Sequence, residues 1–446
     1  MTEQERLYFD LLVKRREQRA ETINDPEFKS GFENNIDKYT DQAHFVYELL
    51  QNADDAGATQ VRFLLEKDRL IFVHNGAKRF FVSNPDTVLE DKAAGKYGSV
   101  NAITAIGFSN KPEQNAIGKF GIGFMSVFQY TKTPQIFDAN ISFQIERLIV
   151  PSLIPDQPEL RKPGEKTLFV FPFDSEKCSK EVSYSDIARK LRGLSYPLMF
   201  LNTLERIDYQ IGEDFGSYLR EPTDERTVGD ISAKRMRFSL DRTQSGDTSS
   251  VIEEFWFFSR GEESYNRYSV CFAVEKDEQG NDSLKVFDSP AFCFFQTKSL
   301  TGLHFAIHAP FLLTDNRESI KAGIPHNKDM VNRLAELAAD SLILLRDIGL
   351  EHGSRLVDDS ILNIIPTSED AFGAEDDTDK ISFLPFFTAI REKLRLDIFP
   401  SLIPRLAAIS GLLLQGVDEF PCQFFRDGRT GQQKQFQKTL RIERLP

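Results

Sequence analysis

The chain has 446 residues, more than one hydrophobic core usually organises, so two or three domains are expected, with 39 phenylalanines to fill them. No apolar run of about eighteen residues exists to span a membrane, and four scattered cysteines (Cys178, Cys271, Cys293 and Cys422) argue against a zinc site or disulfide framework and fit a reducing cytoplasm. A net charge of -13 disfavours broad nucleic-acid binding, which depends on cations neutralising phosphates, while leaving room for a local basic groove.

The first residues lack the layout of a signal peptide. Residues 5–23 read as a charged amphipathic helix, with Leu7, Leu11 and Leu12 on one stripe and Lys14, Arg15, Arg16 and Arg19 in the last turns. A second helix begins near Thr40 or Asp41, carries Val46, Leu49, Leu50 and Ala53 at helical spacing, and stops at Gly57. Two strands follow: Val61, Phe63 and Leu65 alternate with polar neighbours, and 70–73 leads into His74-Asn75-Gly76. Residues 77–117 read as an irregular, polar lid. A glycine loop and a helix-like run over 124–130 come next, then strands at 136–137, 141–145 and 167–173.

A second region has expected strands at 237–240, 254–258, 268–274, 284–287 and 304–309. A helix over 328–346 follows, with Met330, Leu334, Leu337, Ala338 and Leu342 on one face. Beyond 352, an acidic loop at 369–379 leads to helical patterns at 386–396 and 402–414. The basic, polar ending (430–446) closes no obvious core, as expected of the N-terminal portion of a longer chain.

Glu48, Asn52 and Asp55 stand four and three apart, on one helix face opposite the apolar stripe. Alone, such a face reads as solvated. The loop Gly118-Lys119-Phe120-Gly121-Ile122-Gly123-Phe124 changes the balance. Three glycines at the mouth of a helix let backbone N–H groups approach phosphate oxygens. The loop is neither a P-loop nor a dinucleotide fingerprint.

These two segments in this order, with a strand ending in Gly76 between them, resemble the GHKL ATPase superfamily, and within it the ninety-kilodalton heat-shock chaperone and the sacsin-type proteins. The likeness covers the chain to about residue 173. It implies an α+β protein: an Hsp-ninety-like α/β sandwich ATPase domain over 1–205 with its lid at 77–117, an α/β middle-like domain over 206–350, and a helical C-terminal region over 351–446. It further implies ATP and Mg²⁺ as cofactors, slow ATP hydrolysis driving lid closure and domain docking, a protein partner or client, and a homodimer. Some sacsin-type bacterial proteins are linked to phage defence, which extends the expectation to such an assembly.

The resemblance also assigns roles. Glu48 is the expected general base for the attacking water, and Asn52 the Mg²⁺ ligand. Asp55 and Ala56 are expected to line the sugar and base. The phosphates fall to Gly118, Gly121 and Gly123 with the amides of Lys119, Phe120, Ile122 and Phe124. Thr167 matches a threonine that closes the adenine side, and reads equally as an ordinary strand threonine.

One departure stands out. The family's Asp-x-Gly motif, whose carboxylate accepts the adenine amino group, is His74-Asn75-Gly76 here. A neutral His74 can accept that proton, and Asn75 can substitute through its carbonyl oxygen; a His74 that only packs is the alternative. Downstream, Arg317 matches a middle-domain arginine that reaches the γ-phosphate, and a salt bridge to Glu318 or Asp315 is its plainer reading. A nucleotide-gated scaffold with negligible turnover is the second functional expectation, and a DNA-processing protein the third.

Overall fold

A computed structural model describes residues 1–23, 45–105, 123–261, 266–314, 318–353, 356–357, 359–372 and 380–395. Gly118, Lys119, Phe120, Gly121, Ile122, Arg317 and the expected helix over 402–414 lie outside these residues. The chain divides into two compact units. One comprises Met1–Glu221 with Phe238–Ile252; the other comprises Pro222–Arg237 with the chain from Glu253 onward.

The first unit opens on helix α1 (Glu3–Ile23). A capping box starts it: the Thr2 amide donates to Glu5, and the Glu5 amide donates to the Thr2 hydroxyl, at 2.8 and 3.2 Å. The buried stripe of α1 is Phe9, Leu12, Arg16 and Ala20, whereas Leu7 is 64% exposed. The expected Leu7–Leu11–Leu12 face is thus rotated. Arg16, read in the sequence as a charge of the helix end, is buried and donates to the Asn101 carbonyl at 3.0 Å.

Helix α2 (Phe45–Asp55) buries Phe45, Val46, Leu49, Leu50, Ala53 and Asp54. Strands β1 (Gln60–Leu65) and β2 (Arg69–His74) form a hairpin in which Phe63 pairs with Phe72 and Val61 with His74. Helices α3 (Val88–Ala93) and α4 (Ser99–Ile103) follow. The described part of the expected lid is irregular over 77–87 and 94–98 and carries these two short helices. A buried network fixes it: Ser83 and Asn101 exchange two 3.0 Å hydrogen bonds, and the Gly98 amide donates to the Ser83 hydroxyl at 2.9 Å.

A 3₁₀ helix (Gly123–Gln129) leads to β3 (Gln135–Phe137), β4 (Ser142–Glu146), β5 (Val150–Leu153) and β6 (Thr167–Pro172). Helix α5 (Lys180–Arg192), which the sequence reading lacks, precedes β7 (Arg206–Ile211) and β8 (Asp214–Val228). The strand order in this unit is β8-β7-β1-β2-β6-β3-β4-β5. Only β1 and β7 run parallel among the pairs of known register, so the sheet is mixed.

Directly opposed residues share a sheet face. One face carries Phe63, Phe72 and Phe169, and then, at the strand ends, Val61, His74 and Thr167. Helix α2 covers this face, with the Phe45 ring 5.8 Å from Phe171 and 5.2 Å from Tyr130. The other face holds the core of Ile71, Val73, Phe137, Leu168 and Val170.

The second unit contains parts of β8, β9 (Ile231–Gln244) and β10 (Asp247–Arg260), with β11 (Tyr268–Lys276), β12 (Asp282–Lys285), β13 (Pro290–Cys293), β14 (Phe295–Leu300) and β15 (Ala306–His308). The order is β14-β13-β15-β11-β10, with β12 on β11. Helix α6 (Pro325–Glu351) starts at Pro325, ahead of the expected 328, because proline suits the first helical position. It is followed by α7 (Leu384–Lys393). Phe258, Phe272, Phe305 and Phe386 form a chain of ring contacts at 4.9 to 6.1 Å. The chain is thus a mixed α/β protein. Among the described residues no helix is long and apolar enough to cross a membrane.

Candidate functional site

The apolar stripe of α2 turns Glu48, Asn52 and Asp55 away from the sheet. Glu48 is half-buried, and Asn52 and Asp55 are exposed. The buried carboxylate of this helix is its neighbour Asp54. It accepts from the Asn202 amide and side chain, the Thr203 amide and hydroxyl, and the Leu204 amide, at 2.7 to 3.2 Å. Asp54 thereby ties the end of α2 to the segment entering β7, a positioning role.

The end of β2 docks on the end of α2. The Ala77 and Lys78 amides donate to the Ala56 carbonyl at 3.0 and 3.3 Å, and the Lys78 ammonium reaches the Asp55 carbonyl. A Cβ on Gly76 would stand 2.9 Å from the Ala56 oxygen, 2.9 Å from His74 Nδ1 and 3.0 Å from the Ala56 Cβ. Only glycine fits this approach without a shift. Asp55-Ala56 and His74-Asn75-Gly76, twenty residues apart in sequence, are thus adjacent in space.

Asn75 is a clamp. Its Oδ1 accepts from the Thr59 and Gln60 amides at 2.9 and 3.0 Å, and its Nδ2 donates to the Thr59 hydroxyl at 2.8 Å. Both carbonyl lone pairs are committed, so the expectation that Asn75 substitutes as a base acceptor meets no free atom. Thr167, opposite His74, is fully buried and donates its hydroxyl to Asp138 Oδ2 at 3.2 Å. Arg79 approaches the same oxygen at 3.3 Å, and the Asn140 amide donates to Asp138 Oδ1 at 3.0 Å. Asp138, absent from the sequence reading, lies just past β3, and no local spacing marks it.

His74 is 4% exposed. Its Nδ1 accepts the Gly76 amide at 3.1 Å. Burial, helped by the charge of Arg79, lowers its pKa from 6.5 to about 4, so the ring is neutral at physiological pH. With Nδ1 acting as acceptor, the proton sits on Nε2. The expectation that His74 accepts the adenine amino proton is therefore corrected: its acceptor nitrogen is taken, and it offers a donor. The ring lies 6.0 Å from Phe72 and 6.1 Å from Phe169, and half-buried Phe124 stands 6.3 Å from Phe169.

Among the described residues no cluster of His, Cys, Asp and Glu could hold a metal ion by itself. Mg²⁺ bound through phosphates and water needs few protein ligands. An exposed Asn52 amide one turn from Glu48 fits that mode.

In the second unit, the segment flanking Arg317 is pinned. Fully buried Asn327 accepts the Leu312 amide and donates to the Leu312 and Lys321 carbonyls, each at 2.8 Å. Leu313 and Ile320 form a bridge, the Thr314 amide donates to the Ser319 carbonyl, and Glu318 pairs with Lys298 at 2.6 Å.

Residues 27–146 match the family model described as the Sacsin domain. The chain is 24% identical over 345 residues to Protein NO VEIN of Arabidopsis thaliana, which covers 68% of this chain and 11% of that protein. It is 30% identical over 113 residues to Sacsin of Homo sapiens, 23% of this chain and 2% of that one. The chain therefore spans only a small part of the length of these relatives. The matched segment contains α2, the β1–β2 hairpin and the Asn75 clamp, and over that segment the chain is sacsin-like.

Proposed function

We propose that the first unit binds a nucleoside triphosphate with Mg²⁺ and hydrolyses it slowly, in a sacsin-related conformational protein that acts on a protein partner. The observation that carries this reading is the docking of Gly76 against Ala56. It sets the Asp55–Ala56 end of α2 beside the end of β2, whose His74 lies opposite Thr167, with Asn52 and Glu48 further back along the same helix. Glu48 orients and deprotonates the attacking water, and the backbone amides of 118–124 hold the phosphates. Mg²⁺, held by Asn52, would neutralise charge on the phosphates. Arg317 is assigned its phosphate-directed role by resemblance alone.

A second reading, a nucleotide-gated scaffold without turnover, draws support from the buried Ser83–Gly98–Asn101 network, which restrains the described part of the lid. Phosphate release separates the two. Glu48→Ala is expected to keep ATP binding and abolish turnover, while Asn52→Ala weakens Mg-ATP binding. Undiminished hydrolysis by Glu48→Ala removes the general-base role. Absence of hydrolysis in the unaltered chain, with binding intact, selects the scaffold.

A further inference from the structure

We propose that the open edge of β10 over Asp247–Ile252 takes an extended, basic segment of a partner protein as an added strand. The proposal stands apart from nucleotide binding, and gives the protein partner a chemistry.

β10 has strands on both sides over only part of its length. β9 runs along one side: the Thr243 and Thr248 hydroxyls meet at 3.2 Å, and Arg237 donates to Glu254 at 3.0 Å. β11 pairs with the other side, but only from Glu254 to Arg260. The strand order gives β10 no further neighbour, so among the described residues one side of Asp247–Ile252 is an open edge. The turn fixes which groups point outward. β9 ends at Gln244 and β10 begins at Asp247, with Ser245 and Gly246 between them, both at positive φ. In such a two-residue hairpin the flanking pair is hydrogen-bonded, so the N–H and C=O groups of Thr248, Ser250 and Ile252 face away from β9.

Folded proteins guard such edges with a covering element, a proline, a bulge or a lysine. Two other strand ends of the order here are guarded. At β5, Val13 and Ala20 of α1 pack on Ile149 and Val150. At β14, the Lys298 amide donates to the Glu318 carbonyl, and the Lys298 side chain pairs with the Glu318 carboxylate. Asp247–Ile252 has neither proline nor lysine, and all of it is exposed. Val251 and Ile252 are 51% and 62% exposed. As neighbours in a strand they point to opposite faces, so an added strand gains apolar contact on both. Main-chain hydrogen bonds with such side-chain contacts are how an extended peptide joins a sheet edge.

Charge selects the occupant. Asp241 and Asp247 are exposed, Glu253 follows the edge, and no lysine or arginine stands within 247–253. Arg242 of β9 is half-buried and committed to the Tyr218 hydroxyl at 2.7 Å. A second copy pairing antiparallel about Ser250, the register that spans the edge through Glu253, sets Asp247 opposite Glu253 at both ends. Like charges directly opposed are destabilising. A segment with lysine or arginine at those places turns both contacts attractive.

The test is fluorescence anisotropy of the full chain, without nucleotide, against the dye-labelled peptide Lys-Val-Thr-Val-Thr-Val-Lys and its counterpart with Glu at both ends. The lysine peptide is expected to bind roughly tenfold more tightly than the glutamate one. Hydrogen exchange is expected to slow at the Thr248, Ser250 and Ile252 amides in the complex. Ser250→Pro removes an outward N–H at an edge position and is expected to abolish binding. Asp241→Lys combined with Asp247→Lys leaves the backbone as it is and is expected to erase the preference for lysine. Circular dichroism confirms the fold of both variants. Equal affinity for the two peptides, binding of neither, or binding with unchanged exchange at those amides overturns the proposal. Sedimentation that shows the unaltered chain self-associating, and Ser250→Pro monomeric, gives the edge to a second copy and overturns it too. With no nucleotide present, none of these outcomes touches the nucleotide-binding reading.

Discussion

Among the described residues each unit holds a buried histidine and an asparagine that clamps backbone, His74 with Asn75 and His308 with Asn327, and the two pairs differ in how completely they are satisfied. In the second unit His308 is fully enclosed, bonded to the backbone at Phe294 and Phe292, and Asn327 is fully buried with three hydrogen bonds. In the first unit Asn75 is only half-buried, and His74 bonds through one nitrogen. The same two residue types thus build a closed core in one unit and a strand end with an uncommitted donor in the other. Burial alone does not show how far a histidine is satisfied; the hydrogen-bond inventory does.

The largest expected contrast is in pH. Burial lowers His308 from 6.5 to about 3, against the backbone bond to Phe292, and lowers His74 to about 4. Both folded values lie below the unfolded one, so the unfolded chain binds more protons between them and stability rises with pH. The contribution is complete above about pH 6.5 and is lost as pH falls, down to about 4 for His74 and about 3 for His308. By pH 4 each loss is on the order of 3 kcal/mol. Urea denaturation at pH 7 and pH 4 checks this. His308→Phe and His74→Phe are each expected to flatten the pH dependence, and His308→Phe alone should still do so between pH 4 and pH 3. Unchanged profiles would show that neither ring is held neutral by the fold.

The asparagines give the next effect. Asn327→Ala removes a fully buried side chain and the three hydrogen bonds it makes to the Leu312 amide and the Leu312 and Lys321 carbonyls, and is expected to destabilise the second unit by about 2–3 kcal/mol. Trp256, the single tryptophan, is buried in that unit, so its fluorescence follows the transition. Asn75→Ala exposes groups that water can reach, and about 1 kcal/mol is expected. Equal losses would mean that the two clamps do not differ in burial as described.

Much of this arrangement is legible in sequence where contacts are local. The apolar spacing of Val46, Leu49, Leu50 and Ala53 gives the buried face of α2, and alternation gives β1. Helix α5 carries a local signal too: Ser179 caps it, its side chain accepting the Val182 amide at 3.3 Å, and Arg189, Lys190 and Arg192 close it. Its apolar stripe is only Ile187, Ala188 and Leu191, too narrow to stand out by periodicity. Strand β9 shows only its middle, because most of its residues are not buried and carry little apolar alternation. The site is less legible. Asp54 and Asp55 are indistinguishable as letters, and the partners of Asp54 lie about 150 residues away, at Asn202, Thr203 and Leu204. The tautomer of His74 depends on one amide two residues on, a geometric fact that no residue pattern encodes.

A further expected effect bears most directly on that tautomer. Gly76 has an ordinary negative-side backbone, so its requirement is space and not φ: it is absent from the glycines with positive φ. In Gly76→Ala the new methyl meets the Ala56 carbonyl and His74 Nδ1, each at 2.9 Å, and the Ala56 Cβ at 3.0 Å. A backbone oxygen on a helix end yields little, so the segment shifts, at about 1–2 kcal/mol of stability. The same shift lengthens the amide bond to Nδ1, which frees that nitrogen as an acceptor and lets the proton move between the two. Thermal unfolding measures the first consequence, and the ¹⁵N chemical shifts of the His74 ring measure the second. A modest loss of stability with a mixed tautomer ties the position of the ring proton to the docking of β2 on α2. The same loss of stability with the tautomer intact would place its determinant elsewhere than in the Gly76 amide.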